Sequence, residues 1–324
     1  MAKARVVLLF AAFALAAGAQ RAAAQAWPNK PVKIVVPFVA GGSVDSLARV
    51  FAAKLQELLK TPVVIDNRGG AGGNVGANMV AKSPADGYTI LMNINGQAIS
   101  PSIYKSLPFD PVADFVPVVE LVTTSTVIVV NNDLPVKTFQ EFIAYAKAHP
   151  GKMNYGSTGV GNNLHLTMEM IKAATGTDIQ MVPFGGDAPL FTALIGGELQ
   201  AALVPTTTAK AHVDAGAMRA IAVTTPTRVS TFPNVPTIME QGMPDFSVAG
   251  WIALFAPAGT PRDIVARLAR DSAAAINSPE LKEPLRNLTL DPAGAGPDEF
   301  NKIFVSDVAR FRKIIEDAHI PKQE

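Results

Sequence analysis

The stretch that most constrains this chain runs from Val32 to Leu59, where an apolar run breaks at a glycine pair and restarts with helical periodicity. Lys33 to Phe38 is β-rich and nearly all apolar, the pattern of a strand covered on both faces. From Leu47 onward, Leu47, Val50, Phe51, Leu55, Leu58 and Leu59 fall at helical spacing, and Ser43 or Asp45 can cap the helix they form. Strand, glycine loop and helix N-terminus together make an anion site. The first N–H groups of a helix lack intrahelical acceptors and sit at the positive end of its dipole, and Gly41 and Gly42 let a ligand approach the main chain. Neither the Lys–Ser/Thr pair of a P-loop nor the third glycine of a dinucleotide fingerprint is present, so a carboxylate fits as well as a phosphate. A plain glycine turn without a ligand is the competing reading.

The N-terminus reads as an export signal. Lys3 and Arg5 form a basic region, Val6 to Ala17 an apolar one, and Ala24, Gln25, Ala26 a cleavage site before Trp27. The apolar segment is too short to cross a bilayer, which takes roughly 20 residues. Cleavage of 26 residues from 324 leaves 298, enough for two packed lobes. Losing Lys3, Arg5 and Arg21 from 28 basic residues leaves 25 against 27 acidic, a net charge of −2, so no nucleic-acid footprint is expected. The chain has no cysteine, which excludes disulfides and thiolate metal sites and leaves the core to hold the fold. No later run is apolar for long enough to span a membrane.

Strands and helices then alternate. Val63–Asp66 reads as a second strand, Asn74–Lys82 as a helix and Tyr88–Asn93 as a third strand, a βαβαβ unit that places ligands at the carboxyl ends of its strands. Residues 67–73, with four glycines, join the second strand to its helix as a flexible turn or a ligand loop. Ser100–Pro117 is proline-rich and loop-like, and β-rich runs at Val116–Val122 and Thr126–Asn131 suggest a crossing into a second lobe with its own alternation. The expected division is 1–26 signal peptide, 27–122 first part of lobe 1, 123–240 lobe 2, and 241–324 return segment and terminal helices of lobe 1. Lobe 2 has its own glycine loop: Ser157, Thr158, Gly159, Gly161, Asn162 and Asn163 precede a helix carrying His165. Phe184, Gly185, Gly186 and Asp187 form a third strand-to-helix junction, in which Asp187 is also a natural N-cap.

Catalysis has little support. Ser157 lies eight residues before His165, but no GxSxG elbow surrounds it. His165 and Glu169 are four apart on a helix, yet HExxH is absent and the chain has only four histidines. An exported α/β hydrolase is the enzyme alternative.

The segments WPNKPVKIVVPFVAGGSVDSLAR, VVIDNRGGAGGNVGANMVAKSPADGYTIL, SLPFDPVADFVPV, GKMNYGSTGVGNNLHL, PLFTALIGGELQAAL and WIALFAPAGTPRDIVARL, in this order across the mature chain, resemble the extracytoplasmic binding proteins of tripartite tricarboxylate transporters, the TctC or Bug family. The resemblance implies a periplasmic, type II-like binding protein. Each of its two lobes would be a mainly parallel sheet flanked by helices, with the ligand cleft between them. It further implies a monomer without cofactor that delivers a small carboxylate to one large and one small membrane subunit; a sensor docking a membrane kinase is the non-transport alternative. Carried over by position, Phe38, Val39, Ala40, Gly41 and Gly42 would hold one carboxylate, and the Ser157–Asn163 loop a second. His165 would support that loop or touch the ligand. Asn95, Gly96 and Gln97 would border the cleft, and Asp45 would cap its loop or hold water, since like charges repel. Where many relatives read VPYKG, this chain has Val182, Pro183, Phe184, Gly185 and Gly186, then Asp187; Pro205, Thr206 and Thr207 come after the next strand in place of Asp or Asn. The expected ligand is therefore a mono- or dicarboxylate with an apolar or aromatic body packing on Phe184, or an amino acid whose ammonium pairs with Asp187.

Overall fold

The computed structural model describes residues 27–323, so the export signal lies outside the described residues. β1 (Val32–Val36) is buried except at Lys33. α1 (Ser43–Leu59) packs Val44, Leu47, Phe51, Leu55 and Leu59 against the sheet and ends at Lys60 in the left-handed region; of the stripe expected from its spacing, Val50 is half-buried and Leu58 exposed. β2 (Val63–Asn67), α2 (Asn74–Ala81) and β3 (Thr89–Ile94) complete the unit, with β1 parallel to both β2 and β3. α3 (Gly96–Ile103) and β4 (Phe115–Thr124) come next.

The chain leaves this sheet after Thr124, passes through Ser125 and begins β5 (Thr126–Val130) in a second sheet. That sheet and its helices are built from α4 (Phe139–Ala148), β6 (Met153–Ser157), α5 (Asn163–Thr175), β7 (Ile179–Pro183), α6 (Asp187–Ile195), β8 (Ala201–Pro205), α7 (Thr206–Asp214) and β9 (Arg219–Val223). The chain returns as β10 (Gly250–Pro257), then α8 (Arg262–Ile276), α9 (Pro279–Asn287), β11 (Asp291–Ala295) and α10 (Pro297–Asp317). Among the described residues the sheets run β11-β4-β10-β3-β1-β2 and β7-β6-β8-β5-β9.

Both sheets are flanked by helices, as expected, but each is mixed rather than mainly parallel. β1, β2 and β3 are parallel, as are β6, β7 and β8. The strands adjoining the crossings, β4, β5 and β10, pair antiparallel, because a chain carried directly from one sheet into the other has no crossover helix to restore its direction.

Alternation across each pleat fills a core on both faces of both sheets. In the first sheet Ile34, Val36, Met92 and Leu254 meet α1 and α8, while Val35, Leu91, Trp251 and Phe255 meet α10. Phe300 and Phe304 of α10 stand edge-on to Trp251 and Phe255, with centroids 5.2–6.2 Å apart. In the second sheet Ile128, Tyr155 and Leu203 face α4 and α5, and Val129, Ala202 and Val204 face α6.

Four elements escape the sequence pattern. α3 carries Pro101 within it, yet buries Ala98, Ile99 and Ile103 against α10; packing overrides the proline that makes this stretch read as a loop. α7 and α9 lie outside the expected helices, and β11 contains Pro292 and Gly294, with no strand signal to find.

Candidate ligand cleft

A cavity of about 830 Å³ lies where elements of the two sheets meet. Among the described residues, five helices present their first residues or caps to its wall: Ser43 and Val44 of α1, Asn95 and Gly96 of α3, Asn162 and Asn163 of α5, Asp187 of α6, and Pro205 to Thr208 of α7. Four of the five, α1, α3, α6 and α7, have no side-chain cap bond. Among the described residues no Lys, Arg or His lines the cavity, and Asp187 is its only carboxylate. Ile94, Ile99, Ile103, Val160, Leu164 and Ile252 make the rest of the wall largely aliphatic. Positive potential therefore comes from helix ends rather than side chains, each worth about 0.3–1 kcal/mol to an anion in its first turn.

The first loop is held from beneath. Gly41 adopts φ +86°, and its N–H donates to Asp45 Oδ2 at 2.8 Å. The same oxygen accepts from Arg49 Nε at 2.9 Å, and Oδ1 accepts from Asn67 Nδ2 at 3.0 Å. Asn67 Nδ2 also donates to the Phe38 carbonyl at 3.2 Å, tying β2 to the loop. The bond from Arg49 leads in holding the Asp45 carboxyl down at about 2, outweighing the cost of burial. Asp45 is thus a loop holder. Phe38 lines the cavity; Val39, Ala40, Gly41 and Gly42 lie outside its wall, and Val39 is 75% exposed.

The second loop is held by His165 and Asn162. Gly161, at φ +77°, donates its N–H to His165 Nδ1 at 2.9 Å, which makes Nδ1 an acceptor and puts the imidazole proton on Nε2. Burial pushes the His165 pKa down, keeping the ring neutral. Asn162 Oδ1 accepts from His165 N at 2.9 Å as the helix cap, and its Nδ2 donates to Thr158 Oγ1 at 3.3 Å. Ser157 Oγ donates to the Gly159 carbonyl at 3.2 Å and is not paired with His165, so no nucleophile is assembled. Glu169 Oε1 accepts from Tyr155 and Lys172 at 2.8 and 2.7 Å and lies 3.8 Å from His165 Nε2; no cluster of three or more metal-binding side chains occurs among the described residues. Gly161, Asn162 and Asn163 line the cavity, whereas Ser157, Thr158, Gly159 and His165 stand behind it.

Asn95 borders the cavity with its side chain committed: Oδ1 accepts from Trp251 N at 2.8 Å and Nδ2 donates to Asp307 at 3.4 Å. Gln97, expected at the cleft, is turned into the core, accepting from Asn93 Nδ2 and donating to the Pro111 carbonyl, both at 2.8 Å. It sits one residue past Gly96 on α3, and the turn of that helix carries it to the buried side. Phe184 packs on the second sheet's core and Gly185 lies beside it, both outside the wall. Thr206 lines the cavity with its hydroxyl 2.8 Å from Ser125 Oγ. Sequence reasoning missed Ile99, Ile103 and Tyr104, although Ile99 and Ile103 show helical spacing once Pro101 is discounted. It also missed Trp251, Thr289 and Gln323, for which no local signal exists.

Two helix-flanked sheets around a cavity edged by helix N-termini define a solute-binding protein, built to capture rather than transform. The model of the tripartite tricarboxylate transporter family receptor (TctC) matches residues 47–320, and the chain belongs to that family. It is 34% identical over 316 residues to BugT of Bordetella pertussis, covering 97% of each chain. A solved R. palustris protein, Rpa4515 with adipate, is 36% identical with a TM-score of 0.76, covering 92% of this chain and 100% of that one. MatC from Rhodopseudomonas palustris with bound malate is 28% identical with a TM-score of 0.71, over 89% and 100% of the two chains.

Proposed function

We propose that this protein binds a small mono- or dicarboxylate with an apolar body in the periplasm and hands it to the large and small membrane subunits of a tripartite transporter. The observation that carries the reading is the convergence of five helix N-termini on an aliphatic cavity that, among the described residues, has no cationic side chain. Such a wall favours carboxylate oxygens through main-chain N–H groups and receives a methylene chain between them. Two of the solved neighbours hold dicarboxylates, adipate with an apolar methylene chain and malate with a hydroxylated one. No membrane-spanning helix occurs among the described residues, and delivery to a permease rests on the family name.

Residues 27–124 with 250–324, and residues 126–248, would act as the two closing lobes; against the expected boundaries, Thr123 and Thr124 stay in the first sheet as the end of β4, and Phe246 and Val248 stay in the core of the second. The hinges fall at Ser125 and between Val223 and Gly250, where the chain changes sheet. A carboxylate that bonds amides of both lobes at once does so only when they are closed, so it shifts the equilibrium toward that state by its differential affinity. Asp187 supports a second reading, an acid that also carries an ammonium group, because among the described residues it is the one carboxylate on a wall without cations.

A thermal-shift panel of aliphatic and aromatic carboxylates, amino acids and phosphate esters, on refolded protein stripped of ligand, tests this. A binder at a hundredfold excess over its Kd stabilises the native state by about 2.7 kcal/mol. Shifts with a carboxylate series support the reading; shifts only with phosphate esters sink it.

A further inference from the structure

The segment after α10 passes back over the cavity. Gln323 is anchored to the end of α3 by its own main chain: its N–H donates to the Ile103 carbonyl at 2.7 Å, and its carbonyl accepts from Lys105 N at 2.9 Å. From this fixed point on the first-sheet side, its side chain crosses to the other, and Nε2 donates to the Val160 carbonyl at 2.9 Å. Gln323 itself lines the cavity, half-buried.

Val160 belongs to the turn that delivers Gly161, Asn162 and Asn163 to the start of α5. On its own side that turn is held by His165, through the Gly161 N–H. On the opposite side it presses on α3 so closely that a Cβ at Gly161 would lie 2.6 Å from Ile103 Cδ1 and 3.5 Å from Gln323 Nε2. Ile103 and Gln323 are therefore the surface against which the turn is set, and the bond to Val160 is the polar tie across that surface.

We infer that Gln323 is a positioning residue for ligand capture: by tying Val160 to the end of α3, it fixes the turn that brings Asn162 and Asn163 to the cavity wall. The tie joins groups carried by different sheets, so it forms only when the turn and α3 are together, and it slows their separation. Ligand escape requires that separation. Loss of the tie falls on the dissociation rate.

Gln323→Met keeps the length of the side chain and removes the donor; removal of residues 321–324 takes away the anchor as well. In ligand-free protein, hydrogen exchange of the segment 159–165 is expected to rise several-fold in both variants while the melting temperature stays within about a degree. With adipate as probe, the dissociation rate is expected to rise about three- to tenfold, the scale of one hydrogen bond, with little change in association rate. Unchanged exchange in 159–165 in both variants overturns the inference. So does an unchanged adipate dissociation rate in Gln323→Met. The ligand arm rests on the carboxylate reading: if wild type binds no adipate, that reading is at fault for this acid, and the exchange measurement alone decides the role of Gln323.

Discussion

Asp45 and Gly41 are joined by a 2.8 Å hydrogen bond from the glycine N–H to a carboxylate that Arg49 and Asn67 also engage. The acid nearest the first loop is thus spent on shaping main chain. Asp45→Asn retains one acceptor but loses the ion pair, and Asp45→Ala leaves the Gly41 N–H and Asn67 amide without their partner. Stability losses of about 1 kcal/mol for Asn and about 2–3 kcal/mol for Ala are expected by urea unfolding, with carboxylate affinity falling in the same order. Because the folded pKa of Asp45 is depressed to about 2, its contribution is complete above its unfolded value near 4 and is lost as pH falls toward 2. Asp45→Ala should therefore lose its disadvantage relative to wild type in that window; a constant difference down to pH 2 would refute the role.

His165 predicts a second, milder pH dependence. Its depressed pKa comes first from burial, and its Nδ1 must stay unprotonated to accept from Gly161. The contribution is thus present above the unfolded histidine value of about 6.5 and lost as pH falls through the lower folded value. His165→Ala should weaken binding at pH 7.5, and the gap to wild type should narrow as pH drops through that region. Trp251, one of two tryptophans and part of the cavity wall, gives a fluorescence readout.

How far the sequence reveals this molecule depends on how local the cause of each feature is. The strand–glycine–helix junctions at Gly41 and Gly161 are legible because a positive φ requires glycine and helical periodicity marks the segment beyond it. Asp45 as loop holder is also within reach, since an acid four residues after the glycine can fold back onto it. Gln97 is misread because its position beside Asn95 says nothing of the side of α3 it takes, which α10 and Pro111 decide. Gln323 is more remote still. Its partners, Ile103 and Val160, are 220 and 163 residues away in the chain, and no pattern in residues 319–323 points to them.

Glu120 offers a test of the first-sheet core. It is buried, its pKa is pushed up first by desolvation and further by Asp307 and Glu299, and its only side-chain hydrogen bond among the described residues is from Thr123 Oγ1 at 3.2 Å. Ionisation therefore opposes folding above the unfolded value near 4.3 and costs nothing well below it. Glu120→Gln keeps an acceptor for Thr123 and removes the charge. It should raise the melting temperature at pH 7.5, and the gain should vanish at pH 3.5. A gain that persists at pH 3.5 would mean that packing, not charge, is responsible.

Asp187 decides between the two ligand readings. It stands at the first turn of α6, where a carboxylate is itself favoured by the helix end, and so competes with a bound anion for the same positive potential. If the ligand is a plain carboxylate, Asp187→Asn removes a like charge from the wall and should tighten adipate or malate binding. For a ligand carboxylate bound about 6 Å away, at an effective dielectric constant of about 40, the repulsion would be worth about 1.4 kcal/mol, or tenfold in Kd. If the ligand carries an ammonium group, the same substitution should weaken it by a comparable factor and leave simple dicarboxylates improved. Titration of wild type and Asp187→Asn with adipate and with glutamate separates the cases. Equal effects on the two acids would show that Asp187 acts on the helix end alone and not on the ligand.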